Sequence, residues 1–325
     1  MSDQLKQAKK DFSRIGWALL ALGLITSILQ AVLSIRWAPY LDGGTDEWLM
    51  WVITFVPLYL IGMPVGYLVM RTVPAESRES VKLSGKEFVK LMLMCMPIMY
   101  GGNILGNLLS GILSGGTAEN ALLDYITGNP LLTMLVAVLI APAAEEFLFR
   151  KQIIDRLGKY GEKTAMLFSA MTFGLFHMNL FQFFYAFGLG LLFAYVYTRT
   201  RMLRYPVIMH MIINFMGSVI APLLLTVIDF DALTALESGQ ADMAVLMNIL
   251  PGLLLYMVYF LVLMGSVVAG LVLLIIHRKK WLLLPASQEL PEGTEKKTAY
   301  GNVGMVLFIG FCAVMIVFSL ISGLL

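Results

Sequence analysis

Nine apolar runs, at roughly 15–36, 48–70, 90–114, 130–150, 164–178, 181–198, 205–228, 246–276 and 302–325, decide what this chain can fold into. A helix needs about 20 consecutive apolar residues to cross the hydrocarbon core, and every run except the fifth approaches or exceeds that length. The expected fold is all-α: a polytopic membrane helical bundle of about nine transmembrane helices, the fifth of them short. Composition agrees, with 59% apolar and 14% charged residues against about 45–50% and about a quarter in ordinary soluble domains.

The basic residues test that count, because cytoplasmic loops carry the excess of Lys and Arg and a wrong count would scramble the alternation. One side receives Lys6, Lys9, Lys10 and Arg14, then the segments Arg71 to Lys90 and Arg150 to Lys163, then Arg199, Arg201 and Arg204, then Arg278 to Lys297. The other receives only Arg36. The N-terminus is therefore expected to be cytoplasmic and the C-terminus external. Asp42, Asp46, Glu47, Glu119, Asp124, Asp229, Asp231, Glu237 and Asp242 fall in the external loops. The net charge of +2 averages over this asymmetry and offers nothing to a nucleic acid.

The first run follows a basic stretch as a signal peptide would, but its length and the lack of a small-residue cleavage site predict an uncleaved anchor. Cys95 and Cys312 lie in separate predicted helices and provide neither a disulfide framework nor a thiolate metal site. The longest basic loop, His277 to Lys297, is too short to hold a soluble domain, so residues 1–325 are expected to form a single membrane domain. Nothing in the sequence sets an oligomeric state.

Helix three carries Gly102-x-x-x-Gly106 and, on an adjacent stripe, Asn103 and Asn107. Small residues at this spacing let helices approach closely, and amides hydrogen-bond across the contact; a substrate groove lined by the asparagines is the alternative. Gly301, Gly304 and Gly310 admit the same packing reading.

Helix four differs in kind. Glu145, Glu146 and Arg150 lie within it, and charge at membrane depth is costly unless it is paired or lines a cavity. Glu146 and Arg150 stand four apart, within reach of a salt bridge. Glu145 is rotated by about 100° from Glu146, so one carboxylate is expected to be neutralised and the other left free as a general base. The plainer reading is that all three snorkel at an interface. His177, at the end of Phe173-Gly-Leu-Phe-His177, and His210, with Asn214 four residues later, argue against it. His277, beside Arg278, Lys279 and Lys280, is expected to be interfacial and without a catalytic part.

At these residues the chain resembles the family of intramembrane proteases that includes the CAAX prenyl endopeptidase and the bacteriocin-processing and immunity proteins (the CPBP or Abi family). Glu145-Glu146-x-x-x-Arg150, Phe173-x-x-x-His177 and His210-x-x-x-Asn214 match its three motifs in order. The resemblance covers residues 130–228, helices four to seven, as a catalytic core, and leaves 1–129 and 229–325 as accessory helices. It implies an intramembrane endopeptidase in which Glu145 activates water with help from His177. Glu146 and Arg150, with Phe173, would orient the site, and His210 and Asn214 would bind the oxyanion. Zinc held by Glu145, His177 and His210 is the alternative, weakened by the absence of a His-Glu-x-x-His helix; a cofactor-free glutamate protease is favoured.

Two non-enzymatic classes compete: a proton-coupled transporter, disfavoured because the halves show no internal repeat, and a peptide-binding immunity or scaffold protein. The expected partners are the lipid bilayer and a membrane-associated peptide or protein substrate. The few cysteines and compact loops are compatible with a bacterial plasma membrane, where a bacteriocin leader or signalling peptide is a better candidate than a prenylated CAAX protein. Counted from the helix ends, Glu145 and His177 lie deep and His210 shallower, so a cavity open to the cytosol is expected to bring them together.

Overall fold

The computed structural model describes residues 3–41, 47–120, 128–238 and 243–321. Asp42, Asp46, Asp124 and Asp242, expected in external loops, lie outside the described residues, as do the side chains of Glu47 and Glu237. Among the described residues every regular element is helical. The chain is a polytopic all-α membrane protein.

Among the described residues eight helices are long and apolar enough to cross a membrane, where the sequence predicts about nine. They are α1 (Asp3–Tyr40), α2 (Trp48–Met70), α3 (Gly85–Ser114), α4 (Pro130–Tyr160), α6 (Leu180–Thr200), α7 (Arg204–Thr226), α9 (Val245–His277) and α11 (Val303–Ile321). The fifth run forms α5 (Glu162–Phe176), whose 15 residues reach about 22 Å at 1.5 Å per residue, short of the hydrocarbon core. Short helices α8 (Phe230–Glu237) and α10 (Glu295–Ala299) occupy connecting segments.

The alternation of charge survives this correction because α5 and α6 form a hairpin. Gly190 faces Phe173 and Ala170, and Gly174 faces Phe183 and Phe187, so the two helices run antiparallel in close contact. Their turn, Met178 at φ +54°, lies at one end of the bundle; Glu162 and Arg199 pair at the other.

At that second end the basic segments are joined to one another. Glu162, 2% exposed, also binds Arg78 at 2.8 Å and the Leu284 amide at 2.8 Å. Asp155 binds Arg201 at 3.1 Å, and Asp11 binds Lys159 at 3.4 Å and accepts from the Tyr160 hydroxyl at 2.8 Å. Backbone bonds from Glu76 to Asp155, Val81 to Thr200 and Gln288 to Lys159 close the set. The five basic segments found by alternation thus share one end, held there by the buried Asp11 and Glu162 and the partly buried Asp155.

Glycine packing follows expectation in part. A Cβ on Gly102 would stand 2.6 Å from Tyr185 Cα, and one on Gly106 would stand 2.6 Å from the Leu180 carbonyl, so this stripe seats α3 on the start of α6. Asn107 donates to the Asn103 carbonyl at 2.9 Å within its own helix, exposed on the outside of the bundle. The asparagines therefore neither cross the contact nor line a groove. Gly304 meets Ser13 and Trp17 where α11 packs on α1, whereas Gly310 faces open space. Cys95 and Cys312 are buried and unpaired in disulfides.

Candidate active site

Pro142 shapes the backbone around the site. Proline has no N–H, and its ring crowds the carbonyl four residues earlier; the preceding residues Thr133–Ile140 wind as a π-helix. In that register the Ala141 N–H bonds to the Val136 carbonyl, so the Ala137 carbonyl would look to residue 142, which has no hydrogen to give. Asn214 supplies one, its Nδ2 donating to Ala137 O at 2.8 Å. This bond docks α7 on α4, and His210, one turn earlier on the same face, comes to rest beside the glutamates. A second π-helical stretch, Phe147–Gln152, follows, leaving Glu145 and Glu146 in a short α-helical piece between two wide turns, a distortion frequent at functional sites.

Glu146 and Arg150 are both fully buried. Arg150 Nε lies 2.8 Å from Glu146 Oε2, and Nη2 donates to Oε1 at 3.1 Å. The guanidinium sits 4.3 Å from the centre of the Phe173 ring, so the phenylalanine of the second motif serves as a π face for this cation. Ser169 lies 3.5 Å from Nη1 and donates to the Phe149 carbonyl, which the π turn displaces.

His210 lies between the carboxylates. Its Nδ1 is 3.0 Å from Glu146 Oε1, and with a carboxylate as partner that nitrogen carries a hydrogen. Nε2 is then the atom turned to Glu145, 4.0 Å from its Oε2, a spacing at which one water oxygen can touch both. Glu145 Oε1 accepts the Tyr59 hydroxyl at 2.9 Å, which fixes the carboxylate and leaves Oε2 for that position.

His177 ends α5. Its Nδ1 donates to the Phe173 carbonyl at 2.9 Å, which leaves Nε2 for the space in front of it. Asn179 holds the turn by donating to the His177 carbonyl at 2.7 Å and capping α6 through the Gln182 amide.

Glu145, Phe173, His177, His210 and Asn214 all line one cavity of about 440 Å³. Glu146 and Arg150 lie behind its wall. Asn214 spends one N–H on helix docking and has one left. Tyr59 was missed, because α2 had been counted as accessory; Pro57 and Pro64, which bracket the π-helical segment Pro57–Gly62 around it, were the available signal. The cavity extends from Glu145 and His210 past the α5–α6 turn to Glu119 and Asn120, toward the end opposite the basic segments, whereas the sequence reading looked for an opening at the basic end.

No three His, Cys, Asp or Glu side chains among the described residues are grouped to hold a metal ion. Glu145, His177 and His210 share a cavity without meeting there as a donor set.

Residues 127–216 match the family described as Type II CAAX prenyl endopeptidase Rce1-like. This segment is thus similar to the CPBP family of membrane proteases. All three motifs lie inside the matched segment, and Tyr59 lies outside it. Over 175 residues the chain is 29% identical to the protein named "Putative membrane peptidase YdiL" of Bacillus subtilis (strain 168), a match covering 50% of this chain and 67% of that protein. No solved structure matches.

If Asn214 docks α7 on α4, Asn214→Leu leaves the Ala137 carbonyl without a donor and should cost about 1–3 kcal/mol, the desolvation penalty of a stranded polar group. Thermal unfolding in detergent measures it. An unchanged midpoint would mean that the carbonyl finds another donor.

Proposed function

We propose that this protein is a CPBP-type intramembrane endopeptidase that hydrolyses a peptide bond in a membrane-associated peptide or protein precursor by a metal-free glutamate mechanism. The observation that carries this reading is the spacing of Glu145 Oε2 and His210 Nε2 at 4.0 Å across one cavity, with Glu146 and Arg150 neutralising each other behind it.

Charge balance selects the working form. Two carboxylates and one guanidinium leave the buried set one charge short of neutrality, so one proton shared by Glu145 and His210 completes it; an uncompensated charge is expensive in such surroundings. With that proton on His210 Nε2, Glu145 is an ionised base. A water between the two gives its proton to Glu145 and attacks the substrate carbonyl. His210 Nε2–H and the remaining Asn214 N–H then face the developing oxyanion, donors fixed before the charge appears. His177 Nε2 helps to hold the water, and the protonated Glu145 passes its proton to the leaving amine. Every role rests on atoms already aimed at the cavity.

The basic end is assigned to the cytoplasm by its Lys and Arg excess, which puts the N-terminus inside and the end of α11 outside, in a bacterial plasma membrane. Residues 1–325 act as one membrane domain, with α1 and α2 contributing walls of the site.

Purified protein offered a peptide library is expected to cleave a subset of it equally with and without a zinc chelator, and His177→Ala and His210→Ala should abolish that cleavage. Cleavage lost on chelation and restored by zinc would replace the glutamate mechanism. Absence of any cleavage would favour a peptide-binding role.

A further inference from the structure

Resting on the protease reading, we infer that the substrate enters the cavity from the end of the bundle opposite the basic segments, and that it presents a neutral or cationic stretch rather than a terminal carboxylate.

The cavity wall follows one direction in every helix. Along α1 it begins at Leu22 and runs to Gln30; along α2 it runs from Tyr59 back to Thr54; along α7 it runs from His210 to Ser218. Each of these progressions leads away from the helix end that carries the basic residues. The cavity therefore starts at the catalytic groups and opens beyond the α5–α6 turn, beside the exposed Glu119.

Its chemistry is one-sided. Among the described lining residues are Glu119 and Glu145, His177 and His210, and several amides and hydroxyls, and no Lys or Arg. The guanidinium nearest the site, Arg150, is fully buried and committed to Glu146. A substrate ending in a carboxylate a few residues from its scissile bond would thus bring an anion into a low-dielectric cavity whose one cationic group, protonated His210, is already balanced by Glu145 and Glu146, a costly arrangement. A polypeptide passing through with a free backbone and a Lys or Arg near Glu119 meets amides, hydroxyls and a carboxylate.

Single cysteines and a membrane-impermeant maleimide test the route without reference to activity. In spheroplasts expressing the full chain, Ser218→Cys on the wall and Glu119→Cys at the rim are expected to react from the same side, with Lys280→Cys at the basic end reacting from the other. The wild-type chain, with both cysteines buried, is the blank. Ser218→Cys reacting from the Lys280 side, or from neither, overturns the route.

Selectivity is read on a cleaved library peptide carrying Lys or Glu on its flank. The Lys peptide is expected to have a KM lower by about fivefold, the effect of one rim ion pair, and Glu119→Lys should reverse the preference with kcat little changed. Equal KM values overturn the charge selection. Labelling as expected from a protein that cleaves nothing would keep the route and sink the protease reading.

Discussion

Glu145→Gln is expected to lower peptide cleavage by roughly a hundred- to ten-thousandfold, the contribution of a positioned general base, while leaving the unfolding midpoint in detergent close to that of wild type. Glutamine keeps an oxygen to accept the Tyr59 hydroxyl now bound by Oε1, so the link between α2 and α4 survives. What it lacks is a site for the proton of water. It also removes one of the two negative charges, so the set formed with Glu146, Arg150 and His210 is neutral without a proton on His210 Nε2. The oxyanion then loses a donor in the same substitution. Cleavage of a library peptide by matched amounts of the two proteins measures the effect, and full activity in Glu145→Gln would remove Glu145 from the mechanism.

The second large effect concerns stability. Glu146→Ala and Arg150→Ala should each cost about 3–5 kcal/mol, because either one strands its partner as an uncompensated buried charge. Both side chains have no exposure, so water cannot rescue the survivor. Glu146→Leu combined with Arg150→Met leaves no charge behind and should recover most of the lost stability, since residues acting as a unit are non-additive. Activity should not return with it, because His210 Nδ1 has lost the carboxylate that it faces at 3.0 Å. Thermal unfolding of the four proteins decides the matter: two single variants that melt like wild type would show a hydrated pair, and a double variant as unstable as the singles would show that Arg150 matters through its contact with Phe173.

The two predictions differ in how visible their residues were in the sequence. Glu146 and Arg150 are partners because four residues make about one turn, a local property of any helix. The membrane class, the sidedness of the basic segments and the three motifs were legible for a related reason: run length, charge sign and i, i+4 spacing are carried by neighbouring residues. The count of nine failed at α5 because an apolar run and a membrane-spanning helix are different things when the chain turns back at Met178. Tyr59 stayed hidden because its partner lies 86 residues away and no spacing rule links α2 to α4.

The sequence by itself therefore determined the solvent, the helices, the shared end of the basic segments and the residue types available for chemistry, since each depends on local periodicity or on charge. Only the tertiary structure decided that Asn214 answers the carbonyl orphaned by Pro142, that His210 stands between the two glutamates, and that the cavity opens away from the basic end. Those outcomes depend on which helix faces which and at what rotation, and such choices are made by packing among residues far apart in the chain.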